Sequence, residues 1–459
     1  MEAWESRQHR TEAAMRLITL FRKQPKSQFL ASMFLERLFA TQFGEALATG
    51  ESTGPAAQNR DLLFVNRRDM EYHIWEELLI LAFYAKLQRP AWLRTDELDL
   101  TTKLGWHDFN SLFGQVHWYD WLLKPRRHVR LDLPLAQLPW ATEDQAACWA
   151  PFNPSIRQKE DKSGYQLNLR YANYYTKEAR HYEYRGFHGK VLTRNVLCDV
   201  SKEAGWNSPS SVAEIQIDPS FKQDEGSYIR GVEDCRLVAG TGAQEFLGTS
   251  KSYADNGVNK IFHVWLPEGA TAWHLRQLPL PPGVSPGEVQ KNWLGFRHGP
   301  NKELLYIYSF SPFKICDAEG RVKVDVRTDQ GRYSLKEYRG SAGPAAWSSE
   351  QRPDEAYLCV MHKVYIGGEG RRYYHRLMTL DRDLRPSRIS CWVRMTAERV
   401  EYWSGLCPSL EGDSYWVTYG IQDSQAFAAE LKKEEIEKLM VYDWKSQTAA
   451  PFKDRLTLS

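Results

Sequence analysis

The sequence predicts a mainly β protein, a five-bladed β-propeller preceded by an α-helical N-terminal domain. Three observations carry that expectation. The texture changes near residue 145, short alternating strands recur after it, and polar clusters repeat in step with those strands. The chain has 459 residues, 42% of them hydrophobic and 26% charged, which supports a packed core and excludes global disorder.

Residues 1–145 are expected to form the helical domain. Met15, Ile18 and Phe21 step by three, and Phe29, Met33, Leu35 and Leu38 recur at nearly helical spacing. Residues 68–87 read as one long helix, with Met70, Ile74, Trp75, Leu78, Leu79 and Phe83 near one face and Pro90 beyond its end. Ser52, Thr53, Gly54 and Pro55 mark a surface loop. A helix pair or three-helix arrangement is expected, and no 34-residue repeat supports stacked helix pairs.

Residues 146–459 are expected to form the propeller. Alternating runs fall at Tyr165–Arg170, Val258–Trp265, Glu303–Tyr308, Ala356–Met361 and Ser414–Tyr419, separated by turn residues. The absence of βαβ alternation excludes doubly wound and α/β-barrel folds. Five polar clusters accompany these runs: Asn153-Pro154-Ser155, Glu233-Asp234-Cys235-Arg236, Lys291-Asn292, Arg339-Gly340-Ser341, and Glu401 with Gly405. They lie about 50 to 80 residues apart, at or somewhat above the length of a propeller blade. Each blade is expected to send one loop or inner-strand end into a central funnel. A closing helix is expected over 425–440, with Ala426, Ala429 and Leu431 facing inward.

Composition narrows the function classes. Lys+Arg is 60 against 58 Asp+Glu, a net charge of +2 that gives no electrostatic footprint for nucleic acid. Seven cysteines, odd in number and without a CxxC pair, argue against a disulfide framework or a zinc ribbon and for reduced thiols in a cytoplasmic protein. The first residues lack the pattern of a signal peptide, and the longest apolar run, Leu78–Ala85, falls far short of the ~20 residues that span a bilayer. Aromatics reach 13%, which suits strands and sugar-stacking sites alike. No HExxH, GxSxG, P-loop or GxGxxG occurs, so no metal or cofactor is implied. His117, His128 and His181 read as surface or core residues, and the run Lys124–His128 as a solvated loop.

Glu233-Asp234-Cys235-Arg236 is the sharpest cluster. On a regular strand Asp234 and Arg236 share a face while Glu233 looks the other way. The arginine lowers the carboxyl pKa and burial raises it, so the cluster reads either as an acid/base site or as an ion pair at a blade edge.

These motifs, in this order, resemble the family 130 glycoside hydrolases and phosphorylases and their family 108 mannosyltransferase/phosphorylase relatives. Asn153-Pro154 and the strand ending in Arg170 resemble the start of that family's pattern, and Glu233-Asp234-Cys235-Arg236 its Glu-Asp-Pro-Arg motif. Lys291-Asn292, Arg339-Gly340-Ser341, Val360–Lys363, Leu380-Asp381, Gly405 and Tyr419–Asp423 follow in the family's order. Cys235 and Lys363 depart from its usual Pro and Gly, and the helical third lies outside the resemblance.

The resemblance implies a glycosyl transfer by single, inverting displacement, with Asp234 as the acid/base. The partners implied are an oligosaccharide or glycan together with inorganic phosphate, a sugar phosphate or a nucleotide sugar. Asn153, Arg170, Asn173, Glu233, Arg236, Glu401 and Asp423 are the candidate sugar-binding residues. Lys251, Lys291, Asn292, Arg339, His362, Tyr374 and Arg376 form the candidate phosphate-binding set, since forked and point cations hold phosphate. An inverting hydrolase needs a second carboxylate, for which Glu401 and Asp423 are available. Each also has a structural reading, Glu401 as a partner of Arg339 and Asp423 as the cap of the closing helix. A non-catalytic glycan-binding propeller and a scaffold remain as alternatives.

Overall fold

The computed structural model describes residues 96, 99–100, 122–133, 149–177, 181–184, 190–201, 205–329, 331–367 and 370–450. The helices expected before residue 96 lie outside the described residues. Asp96, Asp99 and Leu100 are helical, and β1 (Arg127–Arg130) precedes the first blade.

Blade one holds β2 (Ala150–Gln158) and β3 (Gly164–Ala172). A separate hairpin follows, β4 (Tyr174–Lys177) and β5 (His181–Tyr184), and then β6 (Val191–Ser201), β7 (Ser211–Glu214) and the short β8 (Ile229–Arg230). Blade two is β9 (Glu233–Leu237), β10 (Glu245–Ser250), β11 (Lys260–Trp265) and β12 (His274–Gln277). Blade three is β13 (Leu294–His298), β14 (Glu303–Phe310), β15 (Phe313–Asp317) and β16 (Val322–Val326). Blade four is β17 (Arg339–Ala346), β18 (Glu355–Gly367), β19 (Gly370–Asp381) and β20 (Pro386–Ile389). Blade five is β21 (Glu401–Pro408), β22 (Ser414–Ile421) and β23 (Gln425–Lys432), and β24 (Tyr442–Asp443) with β25 (Thr448–Ala449) returns to the edge of blade four.

The first strand of each blade is the inner one. β2 packs against β9 and β21, β13 against β9 and β17, and β17 against β21, which closes a ring of five. The alternating runs read from the sequence fall in β3, β11, β14, β18 and β22, the second or third strands, which are fully paired on both sides. Apolar faces fill the gaps between blades. Between blades two and three, Val238, Leu247 and Ile261 meet Trp293 and Tyr306, whose rings stack at 4.5 Å.

Two expectations about the ends of the chain change. β1, inside the range expected to be helical, pairs antiparallel with β23 and supplies the outermost strand of blade five. The first half of the expected helix over 425–440 is strand: β23 runs to Lys432, and only Lys433–Leu439 is helical. β23 lies between β22 and β1, and Ala426, Ala428, Ala429 and Leu431 are all buried. A strand covered on both faces loses its polar alternation, and tertiary pairing overrides the helix propensity of alanine.

Candidate functional site

The inner strands do not run straight into the channel. Asn153, Asp234 and Asn292 hold left-handed backbones, with φ of 45°, 50° and 66°. Asn and Asp tolerate this region better than most side chains. The register slips beside them, between Phe152 and Ser155 on β2 and between Leu247 and Thr249 opposite β9. Such bulges re-aim side chains. At β9 the result departs from simple alternation, because adjacent Glu233 and Asp234 converge on one guanidinium. Arg170 reaches Asp234 Oδ1 through Nη1 and Glu233 Oε1 through Nη2, each at 2.5 Å.

Asn153 donates to the same Asp234 oxygen at 3.1 Å. Asp234 keeps 18% of its side chain exposed, against 3% for Arg170 and 8% for Glu233, so it is the accessible member of the triad. Burial pushes the Asp234 carboxyl up, but Arg170, Arg236, Lys291 and the Asn153 hydrogen bond outweigh it and bring it down to about 2. Four buried polar atoms around it, Glu233 Oε2, Arg170 Nε, Asn153 Oδ1 and His362 Nδ1, lack a protein partner among the described residues.

Arg236 ties the hub together. It donates through Nε to the Ser341 carbonyl at 2.8 Å, through Nη2 to Asn292 Oδ1 at 3.3 Å, and to the Tyr402 hydroxyl. One side chain thereby joins blade two to blades three, four and five. His362 lies against Tyr402 at 5.1 Å and Tyr373 at 5.8 Å. Burial, then Arg236 and Arg339, hold its imidazole down to about 3, so it serves as a neutral hydrogen-bonding group rather than a cation. Lys291 and Arg339 are exposed.

Asp423 enters the site rather than capping a helix. Its backbone is left-handed at 49°, in the tight turn between β22 and β23. The Thr176 hydroxyl from the β4–β5 hairpin donates to its Oδ2. Burial raises its carboxyl, the negative charge of Asp234 adds to this, and Thr176, Arg170 and Arg371 only partly offset it. Two carboxyl groups that feel one another are thus driven in opposite directions, Asp234 down and Asp423 up. Tyr174, Thr176, Arg371, Tyr373 and Tyr402 complete this region and were not singled out by motif. Strand parity could have found two of them. Tyr402 has the opposite parity to Glu401, and Tyr373 the opposite parity to Tyr374.

Several expected site residues are engaged elsewhere. Asn173 is buried and clamps backbone, donating to the Lys190 carbonyl and accepting from Leu192 N–H, each at 2.8 Å. Glu401 is fully buried and pairs with no arginine among the described residues. Its oxygens accept from Met395 N–H, Trp403 Nε1, Thr396 N–H and Thr396 Oγ1, so it has no capacity left for a base role or for Arg339. Lys251 sits half-exposed on the turn after β10, where the flanking Ser250 and Ser252 hydroxyls hold Gly231.

Tyr374 and Arg376 occupy the wrong face of β19 for an anion site. Alternation turns Tyr373 and His375 towards His362 and Trp403, and sends Tyr374 and Arg376 to the far side. There Tyr374 packs on Trp392 at 4.6 Å, and Arg376 pairs with Asp96 at 2.8 Å and Asp99 at 3.1 Å. Lys363, which stands where the resemblance expects glycine, donates to Asp99 at 2.9 Å in the same buried socket.

Among the described residues no group of three or more His, Cys, Asp or Glu side chains could hold a metal ion. No helix there is long and apolar enough to cross a membrane.

No family model matches the chain, and no curated protein matches it. Among solved structures it is similar to the β-1,2-mannobiose phosphorylase of Listeria innocua, at 14% identity over 68% of this chain and 99% of that one, with a TM-score of 0.45. It is also similar to the GDP-Man-dependent mannosyltransferase MPT-1 of Leishmania mexicana, at 11% identity over 62% of this chain and 86% of that one, TM-score 0.40. A glycosyl hydrolase of Bacteroides ovatus is 12% identical over 66% and 86%, TM-score 0.41. The resemblance expected from the motifs is thus met among these structures. At such TM-scores they carry no weight for activity, and the five-bladed fold rests on the strand pairing described above.

Proposed function

We propose that the chain is a glycosyl-transferring enzyme. It moves a mannose-like unit between a phosphate-bearing donor and a glycan acceptor by a single inverting displacement. The observation that carries this reading is one partly accessible carboxylate, Asp234, fixed by Arg170 and Asn153 and within the field of Lys291 and Arg236.

In the transfer direction the acceptor hydroxyl oxygen attacks the anomeric carbon while the bond to the phosphate oxygen breaks. The hydroxyl proton passes to Asp234, directly or through a sugar hydroxyl, and phosphate leaves with the bonding pair. Phosphorolysis is the same path reversed, with Asp234 returning the proton to the bridging oxygen. Lys291, Arg339 and Arg236 offset charge on the phosphate, and His362 and Asn292 orient it through neutral hydrogen bonds. No second carboxylate is needed, because phosphate is the leaving group or the nucleophile.

Inverting hydrolysis is the second reading, favoured by Asp423, whose raised carboxyl lies close enough to feel Asp234. That mechanism uses one carboxyl as acid and another as base.

Phosphorus NMR tests the first reading. The protein is incubated with sugar 1-phosphates and nucleotide sugars, with and without mixed oligosaccharide acceptors. Donor conversion to free phosphate or nucleotide only when acceptor is present is the expected result. An unchanged phosphorus spectrum, with phosphate-independent sugar release from β-mannosides, selects hydrolysis instead.

A further inference from the structure

The β4–β5 hairpin belongs to no blade, yet it is fastened to the site at two points. Tyr174 accepts from Arg170 Nη2 at 3.3 Å, and Thr176 donates to Asp423 through its hydroxyl and to the Gln422 carbonyl through its N–H at 3.0 Å. Cross-strand partners share a face of a hairpin. Tyr182 is the partner of Thr176 and Tyr184 the partner of Tyr174. The face that enters the site therefore continues outward as Tyr182 and Tyr184.

These two rings are 44% and 40% exposed, and Tyr228, beside Tyr184, is 44% exposed. They are the only exposed aromatic residues among the large hydrophobics of the described residues. The rings are set, not loose. Tyr182 meets Tyr174 edge-on at 5.0 Å, and Tyr184 meets Tyr228 at 6.2 Å with their hydroxyls in contact. Arg371 lies over Tyr182 at 5.2 Å and donates to its hydroxyl at 3.1 Å. Exposed apolar area is normally dispersed, and three packed rings on and beside a hairpin fastened to Asp423 and Arg170 form a patch of the kind that marks binding.

We infer that Tyr182, Tyr184 and Tyr228 form a platform for the acceptor, a linear glycan chain whose terminal unit reaches Asp234 while its following units lie on the hairpin. Tyrosine rings offer a flat apolar face to the apolar face of a pyranose and a hydroxyl to its rim. The position outside Asp423 selects a chain over a single sugar, because a monosaccharide at Asp234 leaves the platform uncovered. The inference rests on the glycosyl-transfer reading and deepens it by naming the acceptor as an oligomer.

The test uses isothermal titration of the full chain with neutral linear oligosaccharides of one to six units, from β-mannan, α-mannan and β-glucan series. In one series the wild type is expected to gain about tenfold in affinity between one and three or more units. The double variant Tyr184→Ala/Tyr228→Ala loses that gain, and Tyr184→Phe/Tyr228→Phe keeps it. Tyr182→Ser serves as an independent variant if the double alanine variant does not fold, and is expected to lose part of the gain. Length-independent binding, absence of binding in every series, or an unchanged length dependence in the folded alanine and serine variants overturns the platform. Asp234→Asn separates the two readings, since it is expected to abolish transfer and retain length-dependent binding. Length-dependent binding without any transfer by wild type refutes the enzyme reading and leaves the platform standing. Transfer without length dependence refutes the platform alone.

Discussion

Arg376→Met is expected to destabilise the protein strongly while leaving donor and phosphate affinity unchanged. Arg376 is fully buried, and its guanidinium donates to the Tyr338 hydroxyl at 2.6 Å, the Ser390 carbonyl at 2.8 Å and the Asp96 carbonyl at 2.7 Å, besides pairing with both aspartates. It lies among the rings of Tyr338, Trp392 and Tyr442 at 5.4–5.8 Å. Methionine retains the packing of the stem but removes the charge, so Asp96 loses its cation and Asp99 keeps only Lys363. Breaking one side of a buried pair costs about 3–5 kcal/mol, because the remaining charge is left without compensation. The assay is denaturant and thermal unfolding of Arg376→Met, Asp99→Asn and the double variant. Residues sharing one network are non-additive by about 1–3 kcal/mol, so Arg376→Met should cost less in the Asp99→Asn background. Asp99 and Arg376 are 277 positions apart, so the same socket ties Asp96 and Asp99 to blade four. An unshifted melting temperature, or a raised Michaelis constant for a phosphate-bearing donor with stability unchanged, would refute the structural assignment and return Arg376 to the anion site.

Asp234→Asn should lower turnover about 100-fold or more, and should also lower stability by about 2 kcal/mol at neutral pH, since the depressed carboxyl stabilises the fold above about pH 4. That contribution is lost as pH falls through about 2, so the melting difference from wild type should shrink in strong acid. Asp423→Asn has the opposite sign: the raised carboxyl costs stability as pH rises through its folded pKa, and the variant should melt higher than wild type at neutral pH and equally in acid. Gly420→Ala places a methyl 2.5 Å from Asn153 Oδ1 and 2.8 Å from Asn153 N, so it should cost about 1–3 kcal/mol and lower turnover by displacing Asn153 from Asp234. Lys291→Ala and Arg339→Ala, both exposed, should leave the melting temperature within a degree or so and raise the Michaelis constant for phosphate or a sugar phosphate; an unchanged constant removes them from the anion site.

The blade rhythm was legible in runs such as Tyr165–Arg170 and Ser414–Tyr419, whose strand-favouring residues stand between turn residues, although both faces of β3 and β22 are buried. Arg170, Glu233 and Asp234 were legible as charged residues at strand ends, and they do meet. Their convergence was not, because it depends on a positive φ at Asp234 that no alternation rule contains. Tyr374 and Arg376 were misplaced by a one-residue error of parity, which moves a side chain to the other face of a strand. The capping alternative for Asp423 fails because the alanine-rich segment after it, which looked helical, is claimed by the sheet on both edges. The Asp96 and Asp99 socket was invisible, since nothing in the spacing of two aspartates announces an arginine in the fourth blade.

The charges at the hub connect the depressed carboxyl of Asp234 to a phosphate-bearing partner. A group held near 2 is a poor proton acceptor by itself, because Arg170, Arg236 and Lys291 stabilise its anion. A phosphate settling beside the exposed Lys291 brings negative charge to the same field and cancels part of it at Asp234. The carboxyl then rises towards the range where it can exchange a proton with a sugar hydroxyl. Arg170 alone would not serve this purpose, since it is buried between Glu233 and Asp234 and has no exposed face for phosphate. The division of labour follows from exposure: a buried arginine fixes the carboxylate, exposed cations receive the anion, and the proton affinity of Asp234 depends on whether that anion is present.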